Sequence, residues 1–120
     1  MKKILIVEDG RAIAQALHMM LSGLGYETIT SYGTEEAITA ANEESPDLIV
    51  LDINMPDGGG SKVANEIRSN DKTKKIPIII FTAVDKEDVK ALTQELDIEA
   101  YISKPNTDTL IEKIKELLKE

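Results

Sequence analysis

With 120 residues and no cysteine, the chain is the size of one domain whose core forms without disulfides or thiolate metal sites. Its formal charge of −8, from 22 acids against 14 bases, repels phosphate backbones, and one Phe, three Tyr and no Trp leave no base-stacking platform, which argues against direct nucleic-acid binding. The apolar run in the opening MKKILIVEDG is too short for a secretion signal and nothing later approaches a membrane span, so a cytoplasmic protein without membrane contact is expected.

Residues 4–7 are a continuous run of branched apolar side chains, the pattern of a strand covered on both faces. Ile13, Leu17, Met20, Leu21 and Leu24 then recur at helical spacing, and Gly23 and Gly25 supply the stop. Residues 27–30 are a weaker strand candidate, placed by rhythm. Thr34 is in position to cap a helix that turns Ala37, Ile38 and Ala41 inward. Residues 48–51 form the second apolar run, followed by a helix that begins just after Gly60 with Val63 and Ile67 inward. Residues 78–81 form the third run; Asp85 then caps a helix with Val89 and Leu92 inward. A weak strand at 100–103 precedes a last helix, capped by Thr107, with Leu110, Ile111, Ile114, Leu117 and Leu118 inward.

A β-α unit repeated five times requires a parallel sheet with helices on both faces, since each parallel pair needs a crossover. Right-handed crossovers and five units favour the flavodoxin-like α/β order 2-1-3-4-5. Without a repeat, linker or low-complexity tract, one domain spanning 1–120 is expected.

In such sheets ligands bind beyond the carboxyl ends of the strands. Glu8 and Asp9 follow the first strand, Asp52 the third, Thr82 the fourth, and Lys104-Pro105 the fifth. Each has an ordinary reading as a cap, turn or strand residue. Those readings do not account for all of them falling at one end of neighbouring strands. Clustered carboxylates raise each other's proton affinity and ionise more easily around a cation. Oxygen ligands without His or Cys favour Mg²⁺ or Mn²⁺. A carboxylate is also a competent nucleophile toward phosphorus, and phosphoryl transfer asks mainly for positioning and charge neutralisation.

The segments ILIVED, LIVLDINMPDGGG, IPIIIFTA and YISKP, in this order and spacing, resemble the receiver domain of two-component response regulators, of the chemotaxis-regulator type, over the whole chain. The resemblance implies Mg²⁺-dependent phosphorelay signalling with Asp52 as phosphoacceptor. It implies metal ligation by Glu8 (mainly through a bound water), Asp9, Asp52 and the Asn54 carbonyl. Thr82 and Lys104 contact the phosphoryl group. Thr82 moves toward it, and Tyr101 then rotates inward as the switch aromatic. Gly60 and Pro105 are structural, the latter after a cis peptide bond. The implied donor is a sensor histidine kinase or a histidine phosphotransfer protein. The implied output is a downstream protein or self-dimerisation through the face of the fourth helix, fifth strand and fifth helix. The resemblance implies no enzyme beyond self-catalysed phosphorylation and dephosphorylation.

Several positions depart from the family pattern. Gly10 stands where a third acid is common, and Val84 carries no polar group two residues past Thr82. Asp57 and the glycines 58–60 loosen the loop after Asp52, and Pro56 helps that loop wrap the metal. His18, the single histidine, is expected at an exposed or edge position, and Met19 and Met20 in packing roles. A nucleotide-binding module of this fold is disfavoured by Glu8-Asp9 where a diphosphate would sit. An aspartyl-nucleophile phosphatase would need an acid where Asn54 stands. A docking domain that never accepts phosphate has no use for the full acid, Thr and Lys set.

Overall fold

The computed structural model describes residues 1–55 and 59–119. Along these, strands β1 (Lys3–Val7), β2 (Glu27–Ser31), β3 (Leu48–Leu51), β4 (Ile78–Thr82) and β5 (Ala100–Ser103) alternate with helices α1 (Arg11–Gly23), α2 (Thr34–Glu44), α3 (Gly59–Ser69), α4 (Lys86–Glu95) and α5 (Thr107–Leu118). The strands form one parallel sheet in the order β2-β1-β3-β4-β5.

The pleat sorts the apolar runs into two layers. Ile4, Ile6, Val50, Ile79, Phe81 and Ile102 meet Leu17 and Leu21 of α1 and Leu110, Ile114 and Leu118 of α5. Leu5, Val7, Ile49, Leu51 and Ile78 meet Ala37 and Ala41 of α2 and Val63, Ala64 and Ile67 of α3. Burial on both faces explains why β1, β3 and β4 read as unbroken apolar runs. Each fully buried Leu or Ile contributes about 1.5–3 kcal/mol relative to leaving it in water.

The register aligns the strand ends. Val7 lies opposite both Ser31 and Leu51, and Thr82 opposite Ser103. The residues just past these positions therefore share one sheet edge. At the opposite edge, Arg68 near the end of α3 gathers backbone carbonyls. Its guanidinium donates to Leu96 (2.7 Å), Lys74 (3.0 Å), Ile76 (2.7 Å) and Asp97 (3.4 Å), and pairs with Glu99 at 3.0 Å.

Several expectations are corrected. Ile13, Met20 and Leu24 are 41%, 36% and 45% exposed, and Met19 is 64% exposed, so neither the full α1 stripe nor both methionines pack inside. The buried arc of α1 is narrower, running through Ala14, Leu17 and Leu21. Ile13 and Met20 instead line the open cavity of ≈ 340 Å³ beside Phe81, Pro105 and Thr107. Thr34 and Thr107 are the first helical residues rather than caps; Gly33 and Asn106 precede them, and neither makes a side-chain cap bond. Asp85 holds the cap position of α4 without a side-chain cap bond, and Gly10 rather than Asp9 precedes α1. Gly59 and Gly60 belong to α3, so the helix starts earlier than expected and these glycines are not loop. The expectations for Pro56, Asp57 and Gly58 lie outside the described residues. His18 is half-buried, bonded to Thr28 of β2, with Ser22 at 3.5 Å.

Candidate metal and phosphoryl site

Backbone bonds set the stage. The Glu8 amide donates to the Ser31 carbonyl at 3.0 Å, and the Asp52 amide to the Val7 carbonyl at 3.0 Å. The Lys104 amide donates to the Thr82 carbonyl at 2.9 Å. Strand hydrogen bonding thus continues one residue past the apolar runs and fixes the backbone from which each polar side chain projects. Glu8 is 3% exposed, Asp52 6% and Thr82 0%.

The side chains converge. One carboxylate oxygen each from Glu8, Asp9 and Asp52 lies within 4.8 Å of the others. The Lys104 ammonium sits between two of these acids, 2.6 Å from Glu8 Oε1 and 2.9 Å from Asp52 Oδ2. Thr82 Oγ1 donates to Asp52 Oδ1 at 2.8 Å, and the Asn54 amide donates to the same oxygen at 3.0 Å. The Gly10 amide holds Glu8 Oε2 at 3.0 Å. Both oxygens of Asp52 are therefore oriented, one by a cation and one by two neutral donors.

Burial pushes the Glu8 carboxyl above its ordinary value. The bonds from Lys104 and Gly10 pull the other way and the nearby Asp52 charge adds to the rise. Burial pulls Lys104 down, but its bonds to Glu8 and Asp52 outweigh that and leave it above the ordinary lysine value. Three carboxylates against one ammonium leave an excess of negative charge in a set of hard oxygen donors, which fits a hard divalent cation.

Of the residues singled out in the sequence, Glu8, Asp9, Asp52, Thr82 and Lys104 come together, and Asn54 contributes its amide. Tyr101 is not part of the cluster. It is half-buried, and its hydroxyl donates to the Val84 carbonyl at 2.6 Å. Thr82 Oγ1 is turned to Asp52. The Lys104–Pro105 peptide is cis. A β-carbon on Gly60 would lie 2.2 Å from Ile53 Cα and 2.6 Å from the carbonyl oxygens of Asp52 and Ile53. Close approach of α3 to the backbone of Asp52 and Ile53, not loop freedom, is what requires glycine there.

One pair at this edge escaped the sequence reading. The Arg11 guanidinium carbon lies 4.0 Å from the centroid of the Tyr32 ring. Such stacking contributes about 0.5–1 kcal/mol at an exposed site. A basic residue opening α1 and an aromatic just after β2 were the available signals.

The family model of the response regulator receiver domain matches residues 4–115. The chain belongs to this family. Among solved structures it is similar to the response regulator TrrA of Thermotoga maritima, solved in complex with Mg²⁺-BeF, at 37% identity and a TM-score of 0.85, covering 98% of this chain and 99% of that one. It is also similar to the chemotaxis protein CheY4 of Vibrio cholerae, at 28% identity and a TM-score of 0.90, covering 98% of each chain. A CheY-like receiver domain protein of Methanospirillum hungatei matches at 29% identity and a TM-score of 0.91, covering 99% of this chain and 94% of that one. The protein is thus a receiver domain of two-component signalling, with an acidic pocket compatible with Mg²⁺ and phosphorylation. Receiver domains are generally non-enzymatic and interact with histidine kinases or phosphotransfer proteins and with downstream targets. Among the described residues, no helix is long and apolar enough to cross a membrane.

Proposed function

We propose that this receiver accepts a phosphoryl group on Asp52 from a phosphohistidine of a sensor kinase or phosphotransfer protein, and thereby changes its affinity for a downstream protein or a second copy. The observation that carries this reading is the junction at Asp52, whose carboxylate lies within 4.8 Å of those of Glu8 and Asp9 while Lys104 and Thr82 bind its two oxygens.

Mg²⁺ would be held by Glu8, Asp9, Asp52 and the Asn54 carbonyl, and when bound it supplies positive charge that offsets repulsion between the acids and an incoming phosphoryl group. The Mg²⁺-BeF complex of the similar TrrA supports that choice of ion. Thr82 and Lys104 orient the Asp52 carboxylate for attack. Afterwards their donors serve the phosphoryl oxygens, which accept hydrogen bonds strongly. Thr82 then follows the phosphoryl group, Tyr101 follows Thr82, and the face of α4, β5 and α5 changes shape. Both arrangements exist beforehand, and phosphorylation shifts their balance.

Acetyl phosphate with Mg²⁺ should add one phosphoryl group, read by intact mass, and Asp52→Asn should accept none, because an amide oxygen is a poor nucleophile. Equal labelling of Asp52→Asn would refute the assignment.

A further inference from the structure

Arg11 and Tyr32 have no part in the reading above, yet both are anchored beside Glu8. Arg11 follows Gly10, whose amide holds the Glu8 carboxylate at 3.0 Å. Tyr32 follows Ser31, whose carbonyl accepts the Glu8 amide at 3.0 Å. The Tyr32 amide itself donates to Glu36 Oε1 at 2.7 Å. The stacked pair, 4.0 Å apart, therefore bridges the β1–α1 and β2–α2 connections at the acid edge of the sheet.

Lys104 and Arg11 differ in their commitments. Lys104 is spent on Glu8 and Asp52. Arg11 is exposed and has no carboxylate partner among the described residues. Its planar fork of N–H donors suits phosphate oxygens, and stacking on an aromatic face removes part of the entropy lost on binding. Gly10 adds no carboxylate between it and the cluster. A small anionic donor approaching a chain of net charge −8 meets net repulsion, which an exposed guanidinium at the acid edge offsets locally.

We propose that Arg11, held in place by Tyr32, is a positioning residue that captures a small dianionic acyl phosphate at the rim and directs it to Asp52. This rests on Asp52 being the phosphoacceptor. In the transfer, a bond forms between an Asp52 carboxylate oxygen and phosphorus as the bond from phosphorus to the acyl oxygen breaks. The carboxylate of the donor leaves with the electron pair, and no redox partner is required. Arg11 takes no part in the bond exchange and acts on the approach alone.

The test is the second-order rate constant for labelling of the full chain by acetyl phosphate at saturating Mg²⁺, followed by intact mass. Arg11→Gln should lower it about threefold to tenfold at low salt, and Arg11→Lys should restore most of the loss. Tyr32→Leu should fall in the same direction while Tyr32→Phe, which keeps the ring face, should not. The salt dependence should be shallower in Arg11→Gln than in the wild type. Phosphoramidate, which carries less charge, should show a smaller loss. Mg²⁺ affinity should not weaken and the rate of phosphoryl loss should not change, two readouts that a general disturbance of the site would move. Equal rates for wild type and Arg11→Gln would overturn the proposal while a labelled wild type left the acceptor reading intact. Equal losses in Arg11→Lys and Arg11→Gln would also overturn it. An unlabelled wild type would remove the acceptor reading itself, and this proposal with it.

Discussion

The Tyr101 hydroxyl donates to the Val84 carbonyl across 2.6 Å, tying a side chain of β5 to the loop that follows β4. The amide of the same Val84 donates to Thr82 Oγ1 at 3.3 Å, and Thr82 donates to Asp52 Oδ1 at 2.8 Å. One unbroken line of hydrogen bonds runs from the candidate acceptor to the edge strand.

Cutting that line at either end should separate chemistry from output. Thr82→Ala and Tyr101→Phe are expected to accept a phosphoryl group at Asp52 yet lose most of any phosphorylation-dependent dimerisation or partner binding. Tyr101→Phe should cost about 1 kcal/mol of stability for the lost hydrogen bond. Sedimentation with and without acetyl phosphate, or titration with the partner, reads the coupling. Full coupling in both variants would mean that the signal leaves Asp52 by another route, since spatial continuity alone does not establish energetic coupling.

Lys104 holds two buried carboxylates, with side-chain exposures of 16% for Lys104, 4% for Glu8 and 7% for Asp52. Lys104→Met leaves both acids without that cation. A loss of about 3–5 kcal/mol is expected in the absence of divalent ions, as for breaking other buried pairs. Added Mg²⁺ should recover more stability in the variant than in the wild type, because it restores charge to the same acids. Urea unfolding with EDTA or with Mg²⁺ measures both. Identical Mg²⁺ effects would contradict this account.

The raised Glu8 carboxyl gives a pH signature. Folded Glu8 holds its proton to a higher pH than unfolded Glu8, chiefly because it is buried. Between those two values the folded chain binds more protons, so the Glu8 contribution to stability falls as pH rises through the window. Glu8→Gln should remove this contribution, and the difference between wild type and variant in EDTA isolates it from other carboxylates. Mg²⁺ affinity of the wild type should run the opposite way, weakening on acidification through the same window as the proton competes. A pH-independent stability difference would show that Glu8 titrates alike in both states.

Val84 offers the site only backbone groups, both of them engaged. A carboxylate at 84 could orient a water toward the phosphoryl group, so Val84→Glu should shorten the phosphoryl lifetime, measured by loss of labelled mass after donor removal. A longer lifetime in the variant would exclude that role.

β1, β3 and β4 were legible because burial on both faces writes them as unbroken apolar runs, whereas β2 and β5, only partly covered, were placed by rhythm. The acids, Thr82 and Lys104 were legible because strand order brings their ends together. α1 was misjudged for a physical reason. Ile13, Met20 and Leu24 satisfy helical spacing, but spacing does not tell which part of a wide apolar arc meets the sheet. Thr34 and Thr107 have the chemistry of caps, yet the chain enters each helix one residue earlier. Gly60 looked like a source of looseness, and only the approach of α3 to Asp52 and Ile53 reveals a steric demand. Arg68 depends mostly on partners beyond its own helix and leaves no local pattern, and the Arg11–Tyr32 stack is marked only by a basic residue opening α1 and an aromatic just after β2.

Arg68 sets the order in which this sheet comes apart. Its hydrogen bonds join the end of α3, the approach to β4 and the turn into β5, so the pole far from the acids cannot open one segment at a time. At the acid pole Lys104 and Thr82 tie β1, β3, β4 and β5 together, but the loop after β4 is held by few contacts, such as Tyr101 on Val84. Amide protons around residues 76–78 should then exchange with solvent only in events that open much of the sheet, while those around 83–85 exchange in smaller, more frequent openings. A durable fastening at the base would let the loop after β4, at the other end, open without loosening the whole.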